Sequence, residues 1–129
     1  MNYLLDTNVV IEMLHGNRDV IEHIYSVGMR NCCICEMTIA ELYYGAVKGN
    51  NKRNFEDIDT VRELFPIKRV EPCFGEYAKT RLILKEKGNP IDLMDVLIAS
   101  VALHHGMVLV THNRKHFERI PNLEMEDWQ

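Results

Sequence analysis

Short apolar runs alternate along this chain with longer stretches in which apolar residues recur at every third or fourth position. The runs at residues 3–5, 32–35, 67–70 and 107–110 read as strands, too short and too uniformly apolar for helices. A run at 120–125 is expected to add a final edge strand. Between them the period becomes helical. Val9, Val10, Met13 and Leu14 form one apolar stripe, closed by Gly16-Asn17. Residues 19–27 form a second helix, ended by Gly28. Thr38, with Glu41 three places on, has the pattern of a capping box. Ile39, Leu42, Tyr43 and Ala46 continue that helix to Gly49-Asn50-Asn51. Residues 54–65 carry Ile58, Val61, Leu64 and Phe65 up to Pro66. Pro72 suits the start of another helix, whose apolar residues run to a break at Gly88-Asn89-Pro90. A strongly apolar helix is expected over 92–105 before Gly106, then a loop and short helix over 112–118.

Strands that alternate with helices, with no tight hairpin signal, predict an α/β fold with a mostly parallel sheet. A length of 129 residues suits one domain, so a single domain over 1–129 is expected. In such sheets ligands sit beyond the carboxyl ends of the strands. That rule directs attention to Asp6, to the segment after Cys35 and to the segment after Val110.

Composition narrows the function. Hydrophobic residues at 47% and charged ones at 26% exclude a disordered chain. A net charge of −4 excludes a basic nucleic-acid coat. Neither a basic-then-apolar leader nor an apolar run near the ~20 residues of a membrane span is visible, so a soluble cytoplasmic protein is expected. Cys32, Cys33, Cys35 and Cys73 make no disulfide framework and show no zinc-type spacing along the chain. They read as buried thiols of a reducing compartment.

The chemistry gathers at the watched positions. Asp6 follows the first strand, and Glu41 lies on the helix after the second. Asp92 and Asp95, three residues apart, can share a face at the start of the apolar helix. Asn113 and His116 follow the fourth strand. Helix N-termini favour ionised carboxylates, and carboxylates brought together repel unless a cation compensates. All-oxygen donors suit Mg²⁺ or Mn²⁺ rather than zinc. Taken singly, Asp6, Asp92 and Glu41 could each be helix caps, Asn113 a turn residue and His116 a surface residue. Asp95, between Met94 and Val96, is the hardest to explain as structure. Removing Asp6, Glu41, Asp92 and Asp95 from the 19 acids leaves 15 against 15 Lys and Arg, so the acidic excess could belong to one pocket. Asn8 stands where a haloacid-type phosphatase needs its second aspartate, and Ile34-Cys35-Glu36 does not look like a receiver's phosphoacceptor.

These residues carry a resemblance. Leu5-Asp6-Thr7-Asn8 is similar to the opening motif of PIN-domain ribonucleases, and more closely of the VapC-type toxins of toxin–antitoxin systems. The stretch from Thr38 through Glu41 and Leu42 to Gly45 is similar to the family's second block. Gly88-Asn89-Pro90-Ile91 and then Asp95 with Leu97-Ile98-Ala99 follow in order. Val110-Thr111-His112-Asn113 and the residues to Phe117 are similar to the last block. The resemblance implies a PIN-like three-layer sandwich, with a mostly parallel sheet of four to five strands between helices. It implies Asp6, Glu41 and Asp95 as acidic metal ligands and Asn113 as the polar residue of the last motif; Asp92, which can share a helix face with Asp95, could add a further ligand. Many members carry an acid where His116 stands here. Thr7 and Thr111 would support the ligands. His116, Arg114 and Lys115 would face substrate. The implied activity is Mg²⁺- or Mn²⁺-dependent endonucleolytic hydrolysis of RNA, leaving 5′-phosphate and 3′-hydroxyl ends. The implied partners are RNA, a VapB-type antitoxin able to insert a basic residue into the acidic site, and a second copy of the chain. The helices beginning at Asp19 and Asn54 are candidate antitoxin surfaces. The non-enzyme alternative is a catalytically impaired PIN-like module that binds RNA or protein; His116 speaks for it and the three intact acids against it.

Overall fold

The sheet has five strands in the order β3-β2-β1-β4-β5, and every neighbouring pair is parallel. A computed structural model describes residues 2–88 and 91–129; Asn89 and Pro90 of the expected break lie outside the described residues. The strands are β1 (Tyr3–Leu5), β2 (Cys32–Cys35), β3 (Ile67–Lys68), β4 (Val108–Val110) and β5 (Met125–Glu126). The helices are α1 (Thr7–Leu14), α2 (Arg18–Val27), α3 (Glu36–Gly49), α4 (Lys52–Leu64), α5 (Phe74–Glu86), α6 (Leu93–His105) and the single turn α7 (Arg114–Phe117). Two 3₁₀ turns, Met29–Asn31 and Glu71–Cys73, precede β2 and α5.

Continuous apolar strands are explained by burial on both faces. Side chains of a strand alternate, so Leu4, Cys33, Cys35 and Leu109 join the core under α5, α6 and Phe117. Leu5, Cys32, Ile34 and Val110 join the opposite core under α1–α4 and Trp128. This is a three-layer α/β sandwich. Helix α6 shows little amphipathicity because it is enclosed: Val96, Ile98, Ala99, Ser100, Val101 and Ala102 are all buried.

Several expected boundaries move. Helix α3 begins at Glu36, capped by the Cys35 Sγ accepting from the Met37 N–H at 3.4 Å. Thr38 and Glu41 therefore lie inside the helix, and the expected capping box does not form. Helix α4 starts at Lys52 because Asn51 caps it, its side chain accepting from the Arg53 N–H at 2.9 Å. The third and fifth strands shrink to two residues each. Beyond Lys68, the Val70 N–H donates to the Glu36 carboxylate at 2.6 Å instead of to a strand. Ile120 is buried as a core side chain in a turn, not as part of an edge strand. Pro72 lies in the 3₁₀ turn rather than in the first turn of α5.

Candidate active site

Strand β1 is the middle of the sheet, with β2 on one side and β4 on the other. Chain order reverses between β1 and β4, which opens the crevice where α/β sheets bind ligands. Asp6 stands there, one residue past β1. Its Oδ1 accepts from the Thr7 N–H at 2.9 Å, and its Oδ2 accepts from the Thr111 hydroxyl at 2.9 Å. The second bond ties the end of β1 to the end of β4 across 105 residues of chain. The Thr111 hydroxyl in turn accepts from the Asn113 N–H at 3.0 Å, fixing the loop that carries Asn113.

Glu41 reaches the crevice from the second turn of α3, and its Oε1 accepts from the Thr7 hydroxyl at 2.7 Å. The Thr38 hydroxyl lies 3.1 Å from that of Thr7. Thr7, Thr38 and Thr111 are all buried, so each hydroxyl is held where it is. Asp95 projects from the first turn of α6, with its Oδ2 3.2 Å from His116 Nδ1. Asp92 caps α6, one oxygen accepting from the Met94 N–H at 2.8 Å. Two carboxylates thus sit at the positive end of the α6 dipole.

Asp6, Thr7, Asn8, Glu41, Asp92, Met94, Asp95, Asn113 and His116 line one open cleft. Of the site residues singled out in the sequence, Asp6, Thr7, Glu41, Asp92, Asp95, Asn113 and His116 come together there, and Thr111 is joined to them by its bond to Asp6. Arg114 and Lys115 are exposed at the start of α7, beside the cleft but outside its lining. Asn8 and Met94 belong to the lining and Thr38 to the support; Asn8 stands within the opening motif, while Thr38 was masked by its resemblance to a cap. His112 lies one residue from Asn113, and its Nδ1 is 2.8 Å from Asp127 Oδ1, a contact that no local spacing announces.

The electrostatics are those of crowded acids. Burial pushes Asp6 above the ordinary carboxylate range, against hydrogen bonds from Thr111 and the Thr7 N–H that favour the ionised form. Glu41 is pushed up first by burial, and Asp6, Asp95 and Asp92 add to it against the Thr7 bond. Asp95 is pushed up by burial and then by Asp6, while the neighbouring His116 works the other way. Among the described residues the three acids line one cleft without bringing one oxygen each within 4.8 Å of the others. Their separate hydrogen bonds and their repulsion account for that spacing.

Known proteins share this arrangement end to end. A family profile described as PIN domain matches residues 3–123. The chain is 34% identical to Ribonuclease VapC1 of Haemophilus influenzae (strain R2866), over 99% of this chain and 98% of that protein. It is 31% identical to the tRNA(fMet)-specific endonuclease VapC of Salmonella typhimurium, over 99% of this chain and 98% of that one. Among solved structures, it superposes with a TM-score of 0.90 and 33% identity on a chain of VapBC2 from Rickettsia felis bound to promoter DNA, covering 100% of both chains. The expected fold class and the expected resemblance therefore both hold, and the chain belongs to the PIN-domain family, among its VapC ribonucleases.

Proposed function

We propose that this chain is an endoribonuclease toxin that hydrolyses RNA phosphodiester bonds with a divalent cation and is restrained by a partner antitoxin. The observation that carries the proposal is the meeting of Asp6, Glu41 and Asp95 in one cleft at the carboxyl ends of β1 and β4. Asp6 raises the proton affinity of both Glu41 and Asp95, and Asp95 adds to that of Glu41, so the group is unfavourable by itself and favourable around a cation. The donors are all oxygen, which fits Mg²⁺ or Mn²⁺.

In this reading Asp6 and Asp95 hold the ion, with Asp92 on the same helix end as a further oxygen donor. Glu41 completes the acidic wall and orients the attacking water. Asn113 presents its amide to the cleft. A bound divalent ion would lower the pKa of a water and offset charge on the phosphoryl oxygens. Thr7 and Thr111 keep their carboxylates aimed, as supporting hydrogen bonds do in metal sites. His116 restrains Asp95 in place of the family's acid. Arg114 and Lys115 meet the phosphates that approach the cleft, and a single-stranded loop suits this open groove better than a duplex.

Relatives are found as VapBC complexes. Here α1, α2 and α4 leave an apolar cleft lined by Met13, Leu14, Ile21, Ile24, Tyr25 and Leu64, and Tyr25 is 72% exposed on it. That surface, formed by the helices singled out in the sequence, is the proposed seat of the antitoxin. The function is tested by mapping RNA ends after incubation with purified protein. Mg²⁺- or Mn²⁺-dependent cleavage by the wild type, lost in Asp6→Asn and Asp95→Asn, is expected. Full activity in either variant would overturn the assignment.

A further inference from the structure

Helix α6 carries Asp95 at one end and a histidine pair at the other. His104 and His105 are its last two residues, and Gly106 ends it in the left-handed region at φ +64°. They lie nine and ten positions along the helix from Asp95, roughly 14–15 Å at the α-helical rise, and so outside the acidic cleft. Against them packs the 3₁₀ turn Glu71–Cys73 and the first turn of α5. One ligand atom from each of Cys73, His104 and His105 lies within 4.8 Å of the other two. Among the described residues this is the one group of three metal-binding side chains that converges so closely.

We infer that Cys73, His104 and His105 form a second metal site, for a thiophilic ion of the zinc class. A thiolate and two imidazoles are borderline-soft donors that select Zn²⁺, Co²⁺ or Ni²⁺ over Mg²⁺ and Mn²⁺. The chemistry is thus the reverse of the all-oxygen cleft. Tetrahedral zinc sets its S and N ligands roughly 3.3–3.6 Å apart, so closure needs side-chain shifts of about an ångström. The imidazole rings are already disposed edge to face, with centroids 4.9 Å apart. Glu76 Oε1 lies 3.1 Å from His104 Nδ1, the carboxylate support that metal-binding imidazoles usually have. The negative end of the α6 dipole favours a cation at this place.

The other thiols lack this setting. Cys32, Cys33 and Cys35 are enclosed in β2, and among the described residues none of them joins a group of three metal-binding side chains. Bound metal would clamp the turn before α5 to the end of α6. The site was illegible in the sequence because Cys73 and His104 are 31 residues apart and are joined only by the packing of the 3₁₀ turn and α5 on α6.

The test uses the full chain, stripped of metal by a chelator, with excess Mg²⁺ present to occupy the acidic cleft. Added Co²⁺ is expected to give a thiolate-to-cobalt charge-transfer band at one equivalent, and Zn²⁺ to displace it. Zn²⁺ at a hundred times its Kd is expected to raise Tm by ~10 °C. Cys73→Ser abolishes the band. His104→Ala, an exposed change at a helix end, leaves the circular dichroism spectrum intact and weakens Co²⁺ binding at least tenfold. Glu76→Gln weakens it by about ten- to a hundredfold. Asp6→Asn leaves it unchanged. Absence of the band in the wild type, or a band that persists unchanged in His104→Ala, would overturn the site.

Discussion

Removing one hydroxyl should show how strongly the acidic cleft depends on the bond between β1 and β4. In Thr111→Val the side chain keeps its shape, and two hydrogen bonds are lost together. The Asp6 carboxylate loses a donor 2.9 Å away, and the Asn113 N–H loses its acceptor at 3.0 Å. Thr111 is fully buried and Asp6 only 4% exposed, so water cannot readily replace either partner. A bond to a charged group contributes ~1.5–3 kcal/mol and a neutral one ~1 kcal/mol, which together give about 2.5–4 kcal/mol. Unfolding entropy for 129 residues is ~270 cal/mol/K, so Tm should fall by ~9–15 °C. The loss depends on pH with a definite sign. Thr111 stabilises the ionised Asp6, so the variant's folded pKa lies above the wild type's. The difference is therefore full above the variant's folded pKa, and its charge-dependent part fades as pH falls from there through the wild type's. Metal-free urea denaturation at several pH values measures it, with Thr111→Ser as the control that keeps the hydroxyl. A loss below ~0.5 kcal/mol near neutral pH, or an equal loss in Thr111→Ser, would refute the reasoning.

Other expectations follow from the same cleft and its rim. Asp6, Glu41 and Asp95 have folded pKa values raised above those of the unfolded chain, so each binds protons more tightly when folded. Their contribution to metal-free stability is therefore greatest below that window and declines as pH rises from the unfolded value through the folded one. Asp95→Asn should raise the metal-free Tm near neutral pH and flatten that decline; a lower Tm in both metal-free and Mg²⁺-loaded protein would contradict it. His116→Asp should tighten Mg²⁺ binding by calorimetry while lowering metal-free stability, since it returns a carboxylate beside Asp95. Arg114→Glu with Lys115→Glu should weaken cleavage and, if each side chain meets one phosphate, reduce the salt slope of RNA binding by about 1.4. An unchanged slope would remove these residues from the RNA path. Leu64→Asp should abolish co-purification with the antitoxin yet leave RNA cleavage intact, and retained binding would place the partner elsewhere.

Much of this was legible in the chain because the strands are buried on both faces. A run such as 32–35 has no polar alternation to confuse it, and α6 is apolar almost throughout. Asp95 stood out because a charge in such a stretch calls for an explanation, and it lines the cleft. Local rules failed where a distant partner decided the outcome. Thr38 and Glu41 have the spacing of a capping box, but the chain turns into α3 at Cys35 and the threonine hydroxyl meets Thr7 instead. The third strand ends early because the Glu36 carboxylate takes the Val70 N–H. Spacing along the chain also spoke against zinc, while Cys73 and the histidine pair meet only in three dimensions.

The bond from Thr111 to Asp6 also sets a clock. Its partners emerge from the ribosome 105 residues apart, a delay of about 5–21 s at ordinary rates of synthesis. Until β4 docks beside β1, Asp6 lacks its brace and Asn113 has no place, so a nascent chain carries the acids without the cleft. The order of synthesis thus delivers the acids before the brace that aligns them. It also means that α1, α2 and α4, with the apolar cleft between them, are all translated before the strand that completes the crevice.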